Sequence, residues 1–118
     1  MKYLCTVFYE EKKWRALSKN EGEALTAECL DYNDVLEKKG QFIVAEALQP
    51  VRAAKSVRVK RGKVSVIDGP FAETKEQIAG FILIDARDMN EAIDAASKIP
   101  IIRLGGVEVR PIQELTAS

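Results

Sequence analysis

The sequence predicts one α+β domain of the split βαβ, ferredoxin-like kind, with a β-hairpin inserted between its halves. Three observations carry that prediction. Strand, helix and strand signals follow one another twice along 118 residues. The stretch between the two halves has a register that closes on itself as a hairpin. About half of the residues (47%) are hydrophobic, enough for a chain of this length to bury a core without staples.

The first strand is Tyr3 to Tyr9, apolar on both alternating sets: Tyr3, Cys5, Val7 and Tyr9 on one, Leu4 and Phe8 on the other. Such a strand is covered on two faces and central in its sheet. Ser18 and Glu21 then form a capping box, and Leu25, Cys29, Tyr32 and Leu36 follow at helical spacing until Gly40 supplies the stop. The second strand runs from Phe42 to Leu48, and strict alternation would put Phe42, Val44, Glu46 and Leu48 on one face.

Val57 to Lys60, the pair Arg61-Gly62, and Lys63 to Val66 read as the hairpin. Its two-residue turn sets Val59 opposite Val64 and Val57 opposite Val66. Asp68-Gly69-Pro70 breaks the chain, and Phe71 to Gln77 holds helix formers for a turn or so. Gly80 to Ala86 is a strand apolar on both faces. Asp88 with Glu91 caps a short helix carrying Met89, Ala92, Ile93 and Ala96, which ends before Pro100. Val107 to Ile112 alternates as a last strand near an edge, where Pro111 is tolerated.

Two of these strands are apolar on both faces, although both helices of such a fold cover the same one. Leaving several side chains of Leu, Ile or Phe size in water forgoes roughly 1.5–3 kcal/mol each. A homodimer, sheet against sheet about a twofold axis, is therefore expected.

Composition narrows the partners. Eighteen basic and 18 acidic residues cancel, which removes any global pull toward nucleic acid or anionic lipid. Cys5 and Cys29 stand apart from each other and from ligand residues, and read as small core side chains. The first strand meets Glu10 and Glu11 before any signal-peptide or membrane-span length is reached, so a cytoplasmic protein is expected. No metal cluster, phosphate loop, dinucleotide fingerprint or serine elbow is present in the sequence, and no cofactor is implied.

The string Asp68-Gly69-Pro70-Phe71-Ala72-Glu73-Thr74-Lys75-Glu76-Gln77, with Glu46-Ala47-Leu48-Gln49-Pro50 before it and Val107-Glu108-Val109-Arg110-Pro111-Ile112 after it, closely resembles the YCII-related proteins of the DGPF type. The resemblance covers essentially the whole chain. It implies a ferredoxin-like dimeric α/β barrel, and genomic association with extracytoplasmic-function sigma factors. A related YCII protein is a dehydrochlorinase working through a histidine and aspartate pair. This chain contains no histidine, so that acid/base pair does not carry over, and only Asp68 loosely matches its aspartate.

Five residues are candidates for a site. Asp68, at a strand end before a rigid turn, is the candidate base, since a carboxylate drawn out of water has a raised pKa. Glu46 is a carboxylate among apolar neighbours and needs a partner. Glu108 and Arg110 project from one side of the last strand, where Arg110 either pairs with Glu46 or grips an anionic ligand in a bidentate fork. Tyr9 adds a neutral donor. Between Arg52 and Lys63 six basic residues occur without an acid or an aromatic, which reads as a solvated hairpin face or as a surface that docks on the acid-rich first helix of a neighbour. Two functions stay open: a small-ligand-binding or accessory, regulatory module with a cleft at the dimer's sheet interface, and a small-molecule lyase or hydrolase using a carboxylate base.

Overall fold

In a computed structural model, residues 1–116 are described. They form an α+β fold of three helices and two antiparallel sheets. The strands are β1 (Lys2–Tyr9), β2 (Phe42–Ala47), β3 (Lys55–Lys60), β4 (Lys63–Asp68), β5 (Gln77–Asp85) and β6 (Gly105–Pro111); the helices are α1 (Glu11–Ala16), α2 (Lys19–Lys38) and α3 (Met89–Ser97). Four strands make an open sheet in the order β2-β5-β1-β6, and β3 and β4 make a separate hairpin. The described residues close no barrel.

Local chemistry explains the element boundaries. Ser18 accepts from the Glu21 amide at 3.1 Å while the Glu21 carboxylate accepts from the Ser18 amide at 2.9 Å, which satisfies two of the orphan donors at the start of α2. Asp88 caps α3 by accepting from the Glu91 amide at 2.9 Å. The hairpin turns through Arg61 and Gly62, both in the left-handed region (φ 52° and 76°), as a type I′ turn requires. Its register is the one the valines dictate, Val57 opposite Val66 and Val59 opposite Val64.

The core lies on one face of the four-stranded sheet. Tyr3, Cys5, Val7 and Tyr9 of β1 and Ile82 and Ile84 of β5 meet Leu36 of α2 and Ala92, Ala95 and Ala96 of α3. β1 and β5 are the two inner strands of this packing, each paired on both sides.

The structure departs from strict alternation at two irregularities. Between Phe42 and Val44 the β2 register shifts, so Phe42 packs toward the core opposite Ile84 while Val44 and Glu46 stand opposite Leu83 and Phe81 on the other face. The extra residue of a bulge reverses the parity that alternation assumes. The second shift, between Val7 and Phe8, brings Phe8 opposite Ile78 and leaves Ala79 unpaired in the ladder.

Two segments differ from the sequence reading. Glu11 to Ala16 is helical, and Phe71 to Glu76 is irregular. In the latter, the Gln77 side chain donates to the Ala72 and Thr74 carbonyls, both at 2.9 Å, and Thr74 donates to the Glu76 carbonyl at 2.6 Å. Side chains there take over the backbone pairing that a helical turn would have used.

The molecule is flat, 51 × 48 × 18 Å, with a radius of gyration of 16.3 Å, against roughly 13–14 Å for a compact domain of this length. The outer face of the sheet explains part of this shape. Leu4, Thr6, Phe8, Phe81 and Leu83 are only half-buried there, and Val44 and Ile78 are exposed. No described residues form a layer over them.

Candidate functional site

Small side chains open a cleft between α2 and the β2–β5 half of the sheet. Cys29 on α2 faces Ala45 and Ala47 of β2 and Ala79 and Gly80 of β5, and none of them is long enough to fill the space. The cavity is about 450 Å³, within the range that holds small ligands. Its deep wall is apolar, with Val7, Leu25, Ala79, Ile82 and Ile99 all buried. Exposed Leu30 and Leu48 mark its mouth, and Trp14 of α1 closes one side.

Gly80 is required by the close approach of two strands. A Cβ there would press on the Glu46 carbonyl oxygen and stand 3.1 Å from the Ala47 Cα.

Tyr9 brings a polar group to this apolar wall. Its ring is 6% exposed, and its hydroxyl makes no hydrogen bond among the described residues, yet no side-chain polar atom among them is both sealed from solvent and unpartnered. The hydroxyl therefore keeps some exposure, and Tyr9 is among the residues that line the cleft. Burial raises its ionisation, Glu11 adding to the shift and Arg15 opposing it, so the phenol stays a neutral donor. Cys29 also stays protonated, because burial raises its thiol pKa against a backbone hydrogen bond at Ile101. A half-buried neutral thiol is a poor nucleophile.

The five residues singled out from the sequence do not converge. Asp68 ends β4 with its side chain 86% exposed, in an ion pair with Lys55. Glu108 and Arg110 pair with each other at 2.8 Å on the outer face of edge strand β6, opposite Thr6 and Leu4. Glu46 projects from the same face at the other edge of the sheet, with β5 and β1 between them. Tyr9 alone faces the helices.

A polar groove lies beyond Tyr9, and sequence reasoning passed over it. Glu10 and Glu11 have side chains only 14% exposed. Glu10 pairs with Lys75 at 3.0 Å; Glu11 accepts from the Val51 amide at 2.8 Å and meets Arg15 at 3.4 Å. These contacts tie the segments before and after the hairpin, at Val51 and Lys75, to the start of α1, with Pro70, Glu73 and Gln77 completing the walls. Each carboxylate has structural partners. The available signal was Tyr9-Glu10-Glu11 running directly into Trp14 at helical spacing.

Among the described residues no group of three or more His, Cys, Asp or Glu is arranged to hold a metal ion. No described helix is long and apolar enough to cross a membrane.

Fold and cleft together define a small α+β domain with an apolar, ligand-sized cavity. The chain belongs to the YCII-related family, whose model matches residues 1–116. It is similar to an uncharacterized protein of Rhizobium meliloti (strain 1021), with 35% identity over 114 residues covering 95% of this chain and 92% of that one.

Proposed function

We propose that this protein is a non-catalytic ligand-binding module that holds a small, mainly apolar, uncharged molecule with one hydrogen-bond acceptor in the cleft between α2 and the sheet. The observation that carries this reading is the Tyr9 hydroxyl, unspent in a cavity whose deep wall is otherwise apolar. A ligand that covered this donor without offering an acceptor would cost about 1–3 kcal/mol, so a molecule carrying an acceptor is favoured. The lyase or hydrolase alternative is less well supported, because Asp68 lies in solvent beside Lys55, and Glu10 and Glu11 are engaged in structural pairs.

The same reading includes a ferredoxin-like arrangement paired sheet to sheet, giving a dimeric α/β barrel. The half-buried Leu4, Phe8, Phe81 and Leu83 support that pairing, and Glu46, Glu108 and Arg110 would then border a second cleft between the sheets. The sigma-factor association comes from the family resemblance alone and adds no residue to the site.

Native mass spectrometry of the purified protein for a retained molecule, followed by thermal shift with neutral aromatic alcohols and ketones, tests the reading. Ligand should raise the melting temperature of the parent. Cys29→Phe, which fills the cleft from α2, should abolish the rise, and Tyr9→Phe should weaken binding by up to roughly tenfold. A Cys29→Phe protein that folds and still binds as the parent does would place the ligand elsewhere.

A further inference from the structure

The β3–β4 hairpin stands out from the rest of the chain because both of its edges are unpaired with the main sheet. Its face of Val57, Val59, Val64 and Val66 is 59–70% exposed. A two-stranded hairpin is marginal by itself in water, and a row of aligned valines facing solvent wastes the stabilisation that its register was built to give.

The tip of this arm is cationic. Lys60, Arg61 and Lys63 are exposed and have no acidic partner within 4.0 Å among the described residues, whereas Lys55 is paired with Asp68 and Arg58 lies 3.9 Å over the Phe71 ring. Arg61 adopts φ 52° at a position where Gly or Asn carries less strain.

Complementary chemistry occurs on α2. Glu23, Ala27, Leu30, Asp31 and Asp34 fall at i, i+4, i+7, i+8 and i+11, which is one exposed face. Leu30 is 60% exposed in the middle of it, and the three acids have no cationic partner within 4.0 Å among the described residues; the helix's Glu28 is the one that meets Arg103. Total charge is balanced, 18 against 18, so the arm's excess of cations is matched by acids elsewhere on the same chain. That makes the surface self-complementary.

We propose that the hairpin is an intermolecular arm, whose valine face and cationic tip dock on the acidic, leucine-centred face of α2 in a second copy of this chain. Leu30 also marks the mouth of the cleft, so a docked arm adds a wall to it. The contact is separate from the sheet-to-sheet pairing, and either can fail without the other.

The test combines crosslinking with charge exchange. A carbodiimide applied to a mixture of ¹⁴N- and ¹⁵N-labelled full-length protein should give mixed-isotope peptides joining Lys60 or Lys63 to Asp31 or Asp34. In sedimentation at low salt, Lys60→Glu with Arg61→Gly and Lys63→Glu should weaken association between copies roughly tenfold or more. Arg61→Gly alone should leave the chain at least as stable as the parent, because it relieves the backbone. Asp31→Lys with Asp34→Lys, mixed with the reversed arm, should restore association. Crosslinks found only within one chain, unchanged association of the reversed arm, or failure of the exchange to restore it would overturn the proposal. So would loss of duplex-DNA retention on arm reversal with association unchanged, since the arm's partner would then be nucleic acid.

Discussion

Tyr32 of α2 donates its hydroxyl to the Ala95 carbonyl of α3 at 2.5 Å, joining two helices through residues 63 apart in sequence. This bond braces α2 at a residue that also lines the cleft, between exposed Leu30 and fully buried Leu36. Tyr32→Phe should lower stability by about 0.5–1.5 kcal/mol. A shifted urea midpoint with an unchanged m-value would show it; no shift would mean that the bond contributes nothing net.

Two glycines that look alike in sequence should behave oppositely from a third. At Gly80 a Cβ would press on the Glu46 carbonyl, and at Gly105 on the Phe8 carbonyl with the Tyr9 Cα 2.7 Å away, while at Gly106 it would meet nothing within 4 Å. Backbone cannot yield as a side-chain tip does. Gly80→Ala and Gly105→Ala should each cost about 1–3 kcal/mol, and Gly106→Ala should stay within about 0.5 kcal/mol of the parent. Chemical denaturation of the three variants side by side decides it.

The acid and alkaline limbs of stability have different owners. Glu21, hydrogen-bonded to the Ser18 amide and hydroxyl, and Glu28, hydrogen-bonded to Arg103, have folded-state pKa values below the ordinary 4.5. Their contribution is present above that value and is lost as pH falls through the lower folded one. At the other end, burial raises Cys5 from 9.0 to about 11, so its contribution is complete below 9 and is lost as pH rises toward 11. Arg103→Gln should flatten the acid limb, and Cys5→Ala the alkaline one. Unfolding measured across both ranges would expose a mistaken assignment as an unchanged slope.

The two thiols should also differ toward a small alkylating reagent. Cys5 is 1% exposed in the core and should react only on unfolding, whereas half-buried Cys29 should react slowly and be protected when the cleft is filled. Protection of neither thiol by a bound neutral aromatic would argue against the cleft as its site.

For the outer sheet face, Phe81→Glu combined with Leu83→Glu should leave a folded monomer if copies pair there. Light scattering is the measurement, and an unchanged mass would show that this face is not the interface.

Local chemistry was enough to read most elements. The capping box at Ser18, the N-cap at Asp88, the Leu25-Cys29-Tyr32-Leu36 stripe and the hairpin register all rest on residues within a few positions of one another, where a period of 2 or 3.6 carries the information. The bulge beside Phe42 was not legible, because one extra residue leaves the composition alone while reversing the parity of every later position in the strand. Nor was α1, whose Glu10 N-cap makes no side-chain cap bond. The cleft depended on tertiary structure altogether: Cys29, Ala45, Ala79 and Gly80 are ordinary small residues until α2, β2 and β5 bring them around one volume. The separation of Asp68 from Tyr9 and of Glu46 from Arg110 has the same cause. Sequence periodicity assigns a side chain to a face of its own element, but which faces meet is decided by packing between elements far apart in the chain.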